Sequence, residues 1–134
     1  MAVQLSVSAR NGRLDSIETT VGTSAVLKIR TGSAPADCAT ADSGTALVTL
    51  SLPSDWMAAA SSGSKAKSGT WSGTAGATGT AGHFRIYDST ATTCHLQGTV
   101  TATGGGGDMT LDNTSIASGQ TVTVSTFTLT DANA

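Results

Sequence analysis

The stretch QTVTVSTFTLTD, residues 120–131, decides the fold because its apolar side chains change faces halfway along. Val122 and Val124 occupy even positions, whereas Phe127 and Leu129 occupy odd positions. Successive side chains of a β-strand point to opposite faces, so this change predicts a bulge or bend between the two pairs. Bent strands of this kind pass between sheets in sandwiches and jelly rolls, and we therefore expect an all-β fold.

Four segments before this strand show the same alternation of apolar and polar residues, which is typical of strands. They are SAVLKIRTG at 24–32, TALVTLSLP at 45–53, GHFRIYD at 82–88 and CHLQGTVTA at 94–102. The residues expected to share an apolar face within their strands are Ala46, Val48, Leu50 and Leu52, then Phe84 and Ile86, then Cys94, Leu96 and Val100. His83, Arg85 and Tyr87 alternate with the second set and are expected to point outward.

Residues 61–82, SSGSKAKSGTWSGTAGATGTAG, are rich in glycine, serine and threonine. A linker between domains is one interpretation, but Trp71 in the middle argues against it because a linker has no use for a solvated tryptophan. We predict an irregular strand flanked by mobile loops, whose glycines let another backbone approach closely. Trp71 and Trp56 are expected to supply large groups to a core that is short of aromatic residues.

The first twenty residues follow a helical period instead. Their apolar residues at spacings of three and four are Val3, Val7, Leu14, Ile17 and Val21. This spacing predicts a short helix around residues 10–20, with the preceding residues extended or anchored elsewhere. Gly22 stands where a C-cap glycine belongs.

Two interpretations of this N-terminal stripe remain open. It covers one end of the sheet core, or it is a contact arm to another subunit. In the second interpretation, the residues expected to make the contact are Val3, Leu5, Val7, Leu14 and Ile17. The predicted organisation is an N-terminal arm with a short helix at 1–23 and a single β-sandwich domain at 24–134.

Composition excludes several functional classes. The net charge of the 134 residues is -2, so no strong field favours nucleic acid or an anionic membrane. Only 12% of the residues are charged, and alanine, serine, threonine and glycine make up 77 of the 134. A surface of hydroxyl and methyl groups suits a protein that packs against neighbours or stands on an assembly.

No stretch approaches the roughly 20 apolar residues of a membrane span. The first residues lack a positive n-region and a continuous apolar h-region, so no secretion signal is predicted. Cys38 and Cys94 lie far apart in the sequence. Without an export signal we expect free thiols, with a disulfide between them as the alternative.

The segment TATGGGGDMTLDN, residues 101–113, poses the main question of ligand binding. A phosphate-binding Walker loop needs a lysine after its glycines and then a helix. Here Asp108 follows the glycines, and the next residues alternate like a strand. We therefore predict a hairpin or long turn between two strands, whose glycines supply positive φ angles.

Other chemical sites have weak support. His83, His95 and Asp88 would form a two-histidine, one-carboxylate metal site only if their strands were adjacent. Asp108 and Asp112 suggest a solvated edge or a loose calcium site. No G-x-S-x-G nucleophile elbow is present. We predict no enzyme activity and no catalytic, cofactor-binding or metal-binding residue.

Several phrases of the chain resemble small structural proteins of tailed bacteriophages that are encoded near the major capsid protein. They are VQLSVSARNGRLDSIETTVG, LKIRTG, LSLPSDWMAAASSGSK, GTWSGTAG, GTAGHFRI and GGGGDMTLDN. The resemblance extends over nearly the whole chain. It lies in composition and short sequence segments rather than in a catalytic motif. It implies a capsid decoration (cement) protein, with a jelly-roll-like antiparallel β-sandwich and a short N-terminal helix.

The same resemblance implies the surroundings of the protein. It would bind the major capsid protein on the outer surface of the virion as a dimer or trimer, after assembly in the host cytoplasm, without nucleic acid, membrane or cofactor. A carbohydrate- or receptor-binding β-module of a phage tail or fibre is the alternative. That alternative would need an exposed cluster of aromatic side chains for stacking on sugars.

Overall fold

The computed structural model describes residues 3–131, and the outer ends of the two predicted parts, residues 1–2 and 132–134, lie outside the described residues. The described chain forms a helix followed by strands, which confirms a mostly β fold with a short N-terminal helix. The elements are α1 (Val7–Val21), β1 (Val26–Thr31), β2 (Ala46–Ser51), β3 (Ser64–Ala66), β4 (Ser72–Thr74), β5 (Gly79–Tyr87), β6 (Cys94–Ala102), β7 (Met109–Leu111), β8 (Ser115–Ile116) and β9 (Thr121–Thr130).

The strands pair into one curled sheet in the order β2-β1-β5-β6-β7-β9-β3, with β4 also paired to β9 and β8 to the start of β5. The β6–β7 pair is parallel and the other pairs are antiparallel, so the sheet is mixed rather than antiparallel as predicted. The N–H of Gly76 donates to the carbonyl oxygen of Leu47, 2.9 Å away. This bond joins the chain after β4 to β2, near the opposite end of the pairing order, so the sheet curls back on itself.

The predicted bend of the last strand is a bulge at Ser125. β9 pairs with β7 through Thr126 and Thr110 and then through Val124 and Leu111, which leaves one residue of β9 over. The extra residue turns the apolar side chains before and after it toward the same core. The change of face read from the sequence is thereby confirmed.

A row of aromatic rings crosses the core. It runs from Trp56 through Trp71 and Phe127 to Phe84, with ring centroids 6.0, 5.6 and 5.3 Å apart. Both tryptophans are fully buried, as predicted. In β4, a Cβ added to Gly73 would lie 3.4 Å from a backbone oxygen of β2. That distance is an ordinary van der Waals contact, so Gly73 lies against β2 without the closer backbone approach that was expected of these glycines.

An unpredicted bulge in β2 changes which residues face the core. Ile29 pairs with Val48, but Arg30 pairs with Ala46, so Leu47 is the extra residue. Leu47 and Val48 are both buried, whereas Ala46 is exposed. The predicted inward position of Ala46 is wrong because the bulge shifts the alternation by one residue.

A second unpredicted bulge lies at His95 in β6. Ile86 pairs with Leu96, but Tyr87 pairs with Cys94. Cys94 therefore lies on the face opposite to Leu96, and the prediction that they share a face is wrong. Local alternation alone carries no sign of this extra residue.

The helix begins earlier than predicted. α1 starts at Val7, and the Ser6 hydroxyl accepts a hydrogen bond from the N–H of Ala9 at 3.1 Å, as an N-cap does. The helix ends at Val21, and Gly22 follows with a φ of 90°, which confirms the predicted C-cap. The N-cap serine marks where the helix begins, which the spacing of apolar residues did not show.

Lys65, from the segment 61–82, is a buried residue of β3 that holds α1 on the sheet. Its Nζ donates to Asp15 Oδ1 at 2.7 Å, to Glu18 Oε2 at 2.8 Å and to the Ala58 carbonyl at 2.9 Å. Burial disfavours the charged amine, but the hydrogen bonds to the two carboxylates raise the pKa of Lys65 above its usual value. The hydrogen bond from Lys65 lowers the pKa of Asp15 in turn.

Candidate functional site

The glycine run 104–107 is a turn that brings β7 back beside β6 in parallel. Parallel strands usually need a crossover of about a dozen residues or more, but here the chain doubles back within 103–108. Two of the glycines have φ angles of 87° and 81°, and a Cβ added to either of the others would lie 2.8 Å from Thr101. The turn prediction is confirmed, and its hairpin form is wrong because the joined strands are parallel.

The two aspartates around this turn serve different elements. Asp108 Oδ2 accepts hydrogen bonds from the backbone N–H and the hydroxyl of Thr99, at 3.0 and 3.1 Å. Asp112 Oδ1 accepts from the Ser125 hydroxyl at 3.0 Å. Each carboxylate therefore fixes a neighbouring strand, and neither partner set is that of a calcium site.

An open seam separates part of β6 from the end of β9. β7 lies between these strands only over Met109–Leu111, and beyond it residues 97–99 face residues 128–130 across a gap. The groove has a volume of about 410 Å³ and is lined by Phe84, Gln97, Asp108, Phe127, Thr128, Leu129 and Thr130. We call this groove the seam.

The edges of the seam carry backbone donors and acceptors. On β9, the Phe127 carbonyl and the Asp131 N–H bond on the opposite side, toward β3. Alternation along the strand then points the backbone groups of Thr128 and Thr130 into the seam. On β6, the Thr99 N–H also points to this side, where a carboxylate accepts it. An extended segment laid in the seam would meet polar backbone groups on both strands.

The N-terminal segment supplies the exposed apolar surface. Val3 is 80% and Val7 48% exposed, and within residues 3–131 they are the exposed large hydrophobic residues. Leu5 and Ile17 are half-buried, whereas Leu14 is buried against its own chain. Val3 and Val7 are therefore the exposed members of the predicted contact set, and we call Val3, Leu5 and Val7 the arm.

The outer face of β5 is buried, contrary to the prediction. His83, Arg85 and Tyr87 lie beneath residues 32–45, the connection between β1 and β2. His83 Nδ1 donates to the Gly32 carbonyl at 2.9 Å, because a carbonyl oxygen can only accept. The alternating pattern placed these side chains on the correct face, but an irregular segment covers that face.

Asp42 is the centre of this buried polar face. Its carboxylate accepts from Arg85 Nη1 and from the Tyr87 hydroxyl, both at 2.5 Å, and from Arg30 Nη2 at 3.2 Å. Burial opposes ionisation, but these partners outweigh it and hold the pKa of Asp42 below its usual value. Burial and the hydrogen bond to Asp42 raise the pKa of Tyr87 well above its usual value. The network therefore holds a fixed charge pair at neutral pH.

Cys38 and Cys94 meet beside the same arginine. Arg85 Nε donates to Cys94 Sγ at 3.2 Å, and Arg85 Nη2 donates to the Cys38 carbonyl at 2.8 Å. Both are free thiols. Burial raises the pKa of Cys94 to about 11, and the neighbouring Cys38 adds to this effect, against the opposing effect of Arg85. Sequence analysis missed this cluster, since two distant cysteines give no sign of their proximity.

The predicted metal alternative has a different arrangement in the structure. His83 is buried in its bond to Gly32, and Asp88 accepts from the hydroxyl of Thr90 at 2.9 Å and the N–H of Thr92 at 3.0 Å. Within residues 3–131, no group of three or more histidine, cysteine, aspartate or glutamate side chains is placed to hold a metal ion.

No family model, curated protein or solved structure matches this chain. Within the described range, α1 is too short and too polar to cross a membrane. Function is therefore inferred from the geometry above: an exposed apolar arm, an open seam in the sheet, and a buried polar cluster.

Proposed function

We propose that the chain is a capsid decoration protein of a tailed bacteriophage, which binds the outside of the head lattice as a dimer or trimer and stabilises it. The observation that carries the proposal is the arm, in which Val3 and Val7 are exposed and Leu5 is half-buried. The free energy falls when a partner covers apolar side chains that would otherwise be exposed to water. A rigid β-domain with such an arm is suited to docking on a repeated surface.

The seam offers a second surface of the same kind. Val3 and Leu5, which precede α1, alternate with polar residues as in a strand, and backbone groups of β6 and β9 border the seam. Pairing of an extended segment with a sheet edge gives main-chain hydrogen bonds, while alternate side chains enter pockets. Contacts of this type would join neighbouring proteins on a lattice.

A small binding free energy from each bound copy is sufficient to stabilise the head lattice. A ligand that binds only the assembled state shifts the equilibrium by mass action, and a lattice offers many equivalent sites. Closed symmetric oligomers fit such a role because they match the symmetry axes of the shell. The jelly-roll form of the β-sandwich belongs to this proposal, which the curled sheet and the bulge in β9 support.

The tail or fibre alternative has less support. Sugar-binding modules present aromatic rings for stacking, whereas Trp56, Trp71, Phe84, Tyr87 and Phe127 are all buried here. We expect the tryptophan emission of the folded protein to be blue-shifted and protected from quenching by iodide. Strong quenching that a sugar relieves would favour the binding module instead.

The decisive experiment counts copies in purified virions against the major capsid protein by quantitative mass spectrometry. A fixed ratio to the capsid subunit, with copies over the whole head, is expected. A copy number in the range of tail components would move the protein to the tail, and absence from the particle would refute a virion role.

A second experiment tests the arm itself. Heads that lack the protein are mixed with wild type or with the Val3→Ser/Leu5→Ser/Val7→Ser variant and sedimented. The variant should fold normally and fail to sediment with heads. The matched control is Thr19→Ser/Thr20→Ser on the exposed side of α1, which should bind as wild type does. Equal binding of the arm variant would contradict the role of the arm.

A further inference from the structure

Two cysteines from distant parts of the chain share one small cavity on the polar side of β5. The cavity has a volume of about 210 Å³, and both Cys38 and Cys94 line it together with Arg85. Within it, Cys94 Sγ accepts a hydrogen bond from Arg85 Nε at 3.2 Å and donates to the Leu96 carbonyl at 3.3 Å. Cys38 lies in the irregular connection 32–45, whereas Cys94 begins β6. A small shift of the connection is therefore enough to change the distance between the two sulfur atoms.

Arg85 holds both cysteines in place. Its side chain is 2% exposed, and it bonds to the sulfur of Cys94 through Nε and to the backbone of Cys38 through Nη2. Asp42 also binds the guanidinium and fixes its position, so Arg85 links β5 to the connection 32–45. The pairing of these thiols is thus part of the folded structure rather than a chance encounter of loops.

We propose that Cys38 and Cys94 are a dithiol modification site, which a low-molecular-weight disulfide oxidises to an intramolecular disulfide. One thiol loses its proton and its thiolate attacks the small disulfide, RSSR, which forms a protein–SR mixed disulfide and releases RS⁻. The second thiolate then attacks the protein sulfur of that mixed disulfide and releases the other RS⁻. Two protein thiols and RSSR become one protein disulfide and two RSH.

The reaction responds to the surroundings of the protein. Under reducing conditions the site remains a dithiol, and in an oxidising environment it closes. The new bond would tie the connection 32–45 to β6 and would enclose β2, β3, β4 and β5 in one covalent loop. Loops of this length restrict the unfolded chain, so the oxidised protein should unfold at a higher urea concentration.

Basic conditions should accelerate the reaction. The thiolate is the attacking form, and the pKa of Cys94 lies near 11. The rate of disulfide formation should therefore continue to rise as the pH increases from 7 to 9.

The experiment uses the folded, reduced full chain with hydroxyethyl disulfide as the probe. Intact mass should fall by two hydrogen atoms without a retained adduct, non-reducing electrophoresis should show a monomer, and peptide mapping should join Cys38 to Cys94. Cys38→Ser and Cys94→Ser are the matched controls, and each should keep one hydroxyethylthio adduct on its remaining cysteine. Serine retains a hydrogen-bonding group at both positions, and circular dichroism checks that each variant is folded.

Three results would overturn the proposal. They are stable adducts on both cysteines of the wild type, dimers linked by disulfides, and unreacted thiols after prolonged exposure at pH 9. All of these measurements use the isolated protein, so they are independent of whether it binds a phage head. Equal urea midpoints of the oxidised and reduced wild type would contradict the predicted covalent restraint.

Discussion

The strand β5 carries two buried faces that are built from opposite chemistry. Phe84 and Ile86 point into the aromatic core, where Phe84 meets Phe127 edge to face at 5.3 Å. On the other face, Arg85 and Tyr87 are equally buried but converge on a carboxylate beneath an irregular connection. The first face is stabilised by the burial of apolar surface. The second is stabilised by a network of hydrogen bonds and ion pairs, in which each bond depends on its neighbours.

The difference shows how a charge-poor protein buries charge. A buried ion is tolerated only when its partners are fixed, and Asp42 receives three donors while the backbone carbonyls of the connection accept from Arg85. The apolar face tolerates small shifts, because dispersion contacts are numerous and individually weak. The polar face has few contacts, and each has a required direction. The two faces should therefore respond differently to substitution.

The largest effect is expected on the apolar face. Phe84→Ala removes a ring from the aromatic row and should lower the free energy of unfolding by about 3–5 kcal/mol, as for other large-to-small core changes. Urea unfolding followed by tryptophan fluorescence measures the change, since Trp71 and Phe127 belong to the same row. A loss below about 1 kcal/mol would mean that this face contributes little packing energy.

The polar face should show a smaller but specific loss. Asp42→Asn keeps the shape but leaves the Arg85 charge buried without its counter-ion, so the free energy of unfolding should fall by about 2–3 kcal/mol. The side chain of Asp42 is 32% exposed, which reduces the loss relative to a fully buried pair. The matched control is Asp112→Asn, an exposed aspartate bonded to a serine hydroxyl, which should change stability by no more than about 0.5 kcal/mol.

A double variant tests whether the polar face acts as a unit. Arg85→Met with Asp42→Ala removes both charges, so the double variant should be more stable than the sum of the two single changes indicates. Additive losses in the four-protein cycle would contradict the coupling described above.

The connection 32–45, which we call the cover, fits closely on β5. We therefore predict an intermediate loss of stability when one glycine of β5 is substituted. A Cβ on Gly82 would lie 2.3 Å from the carbonyl oxygen of Gly32, at the start of the connection. Gly82→Ala should therefore push the cover away and lower the free energy of unfolding by about 1–3 kcal/mol. It should also make Cys38 and Cys94 react faster with iodoacetamide. Gly76→Ala is the control, since nothing lies within 4 Å of its added Cβ. Equal behaviour of the two variants would show that the cover is loose.

Acid should weaken the polar face before the apolar one. At moderate pH, the resulting change in the free energy of unfolding should be the smallest of the effects predicted here. The folded pKa of Asp42 lies below its ordinary value of 3.8, so its contribution is present above that pH and is lost as the pH falls through the folded pKa. Asp37 and Asp88 have lowered pKa values from hydrogen bonds to nearby threonines and add to this trend. Urea midpoints from pH 6 to pH 2 measure it. Asp42→Asn should give a flatter profile than the wild type, and parallel profiles would contradict the assignment.

Local patterns were sufficient for elements whose causes lie within a few residues. The bulge in β9 follows from a change of apolar parity, and Gly22 ends the helix because it adopts a positive φ without a Cβ clash. The burial of Trp56 and Trp71 follows from the size of their apolar surface. Of the residues predicted to make a contact, Val3 and Val7 are exposed, whereas Leu14 is buried on the side of α1 that faces its own chain.

Tertiary structure alone decided the features that join distant segments. The parallel return of β7, the bulges at Leu47 and His95, and the burial of Lys65 all depend on which strand lies alongside. The same is true of the outer face of β5, because alternation shows which side chains share a face but not what covers it. Cys38 and Cys94 meet for this reason too: their proximity comes from a connection folded over a sheet, and sequence spacing contains no record of that fold.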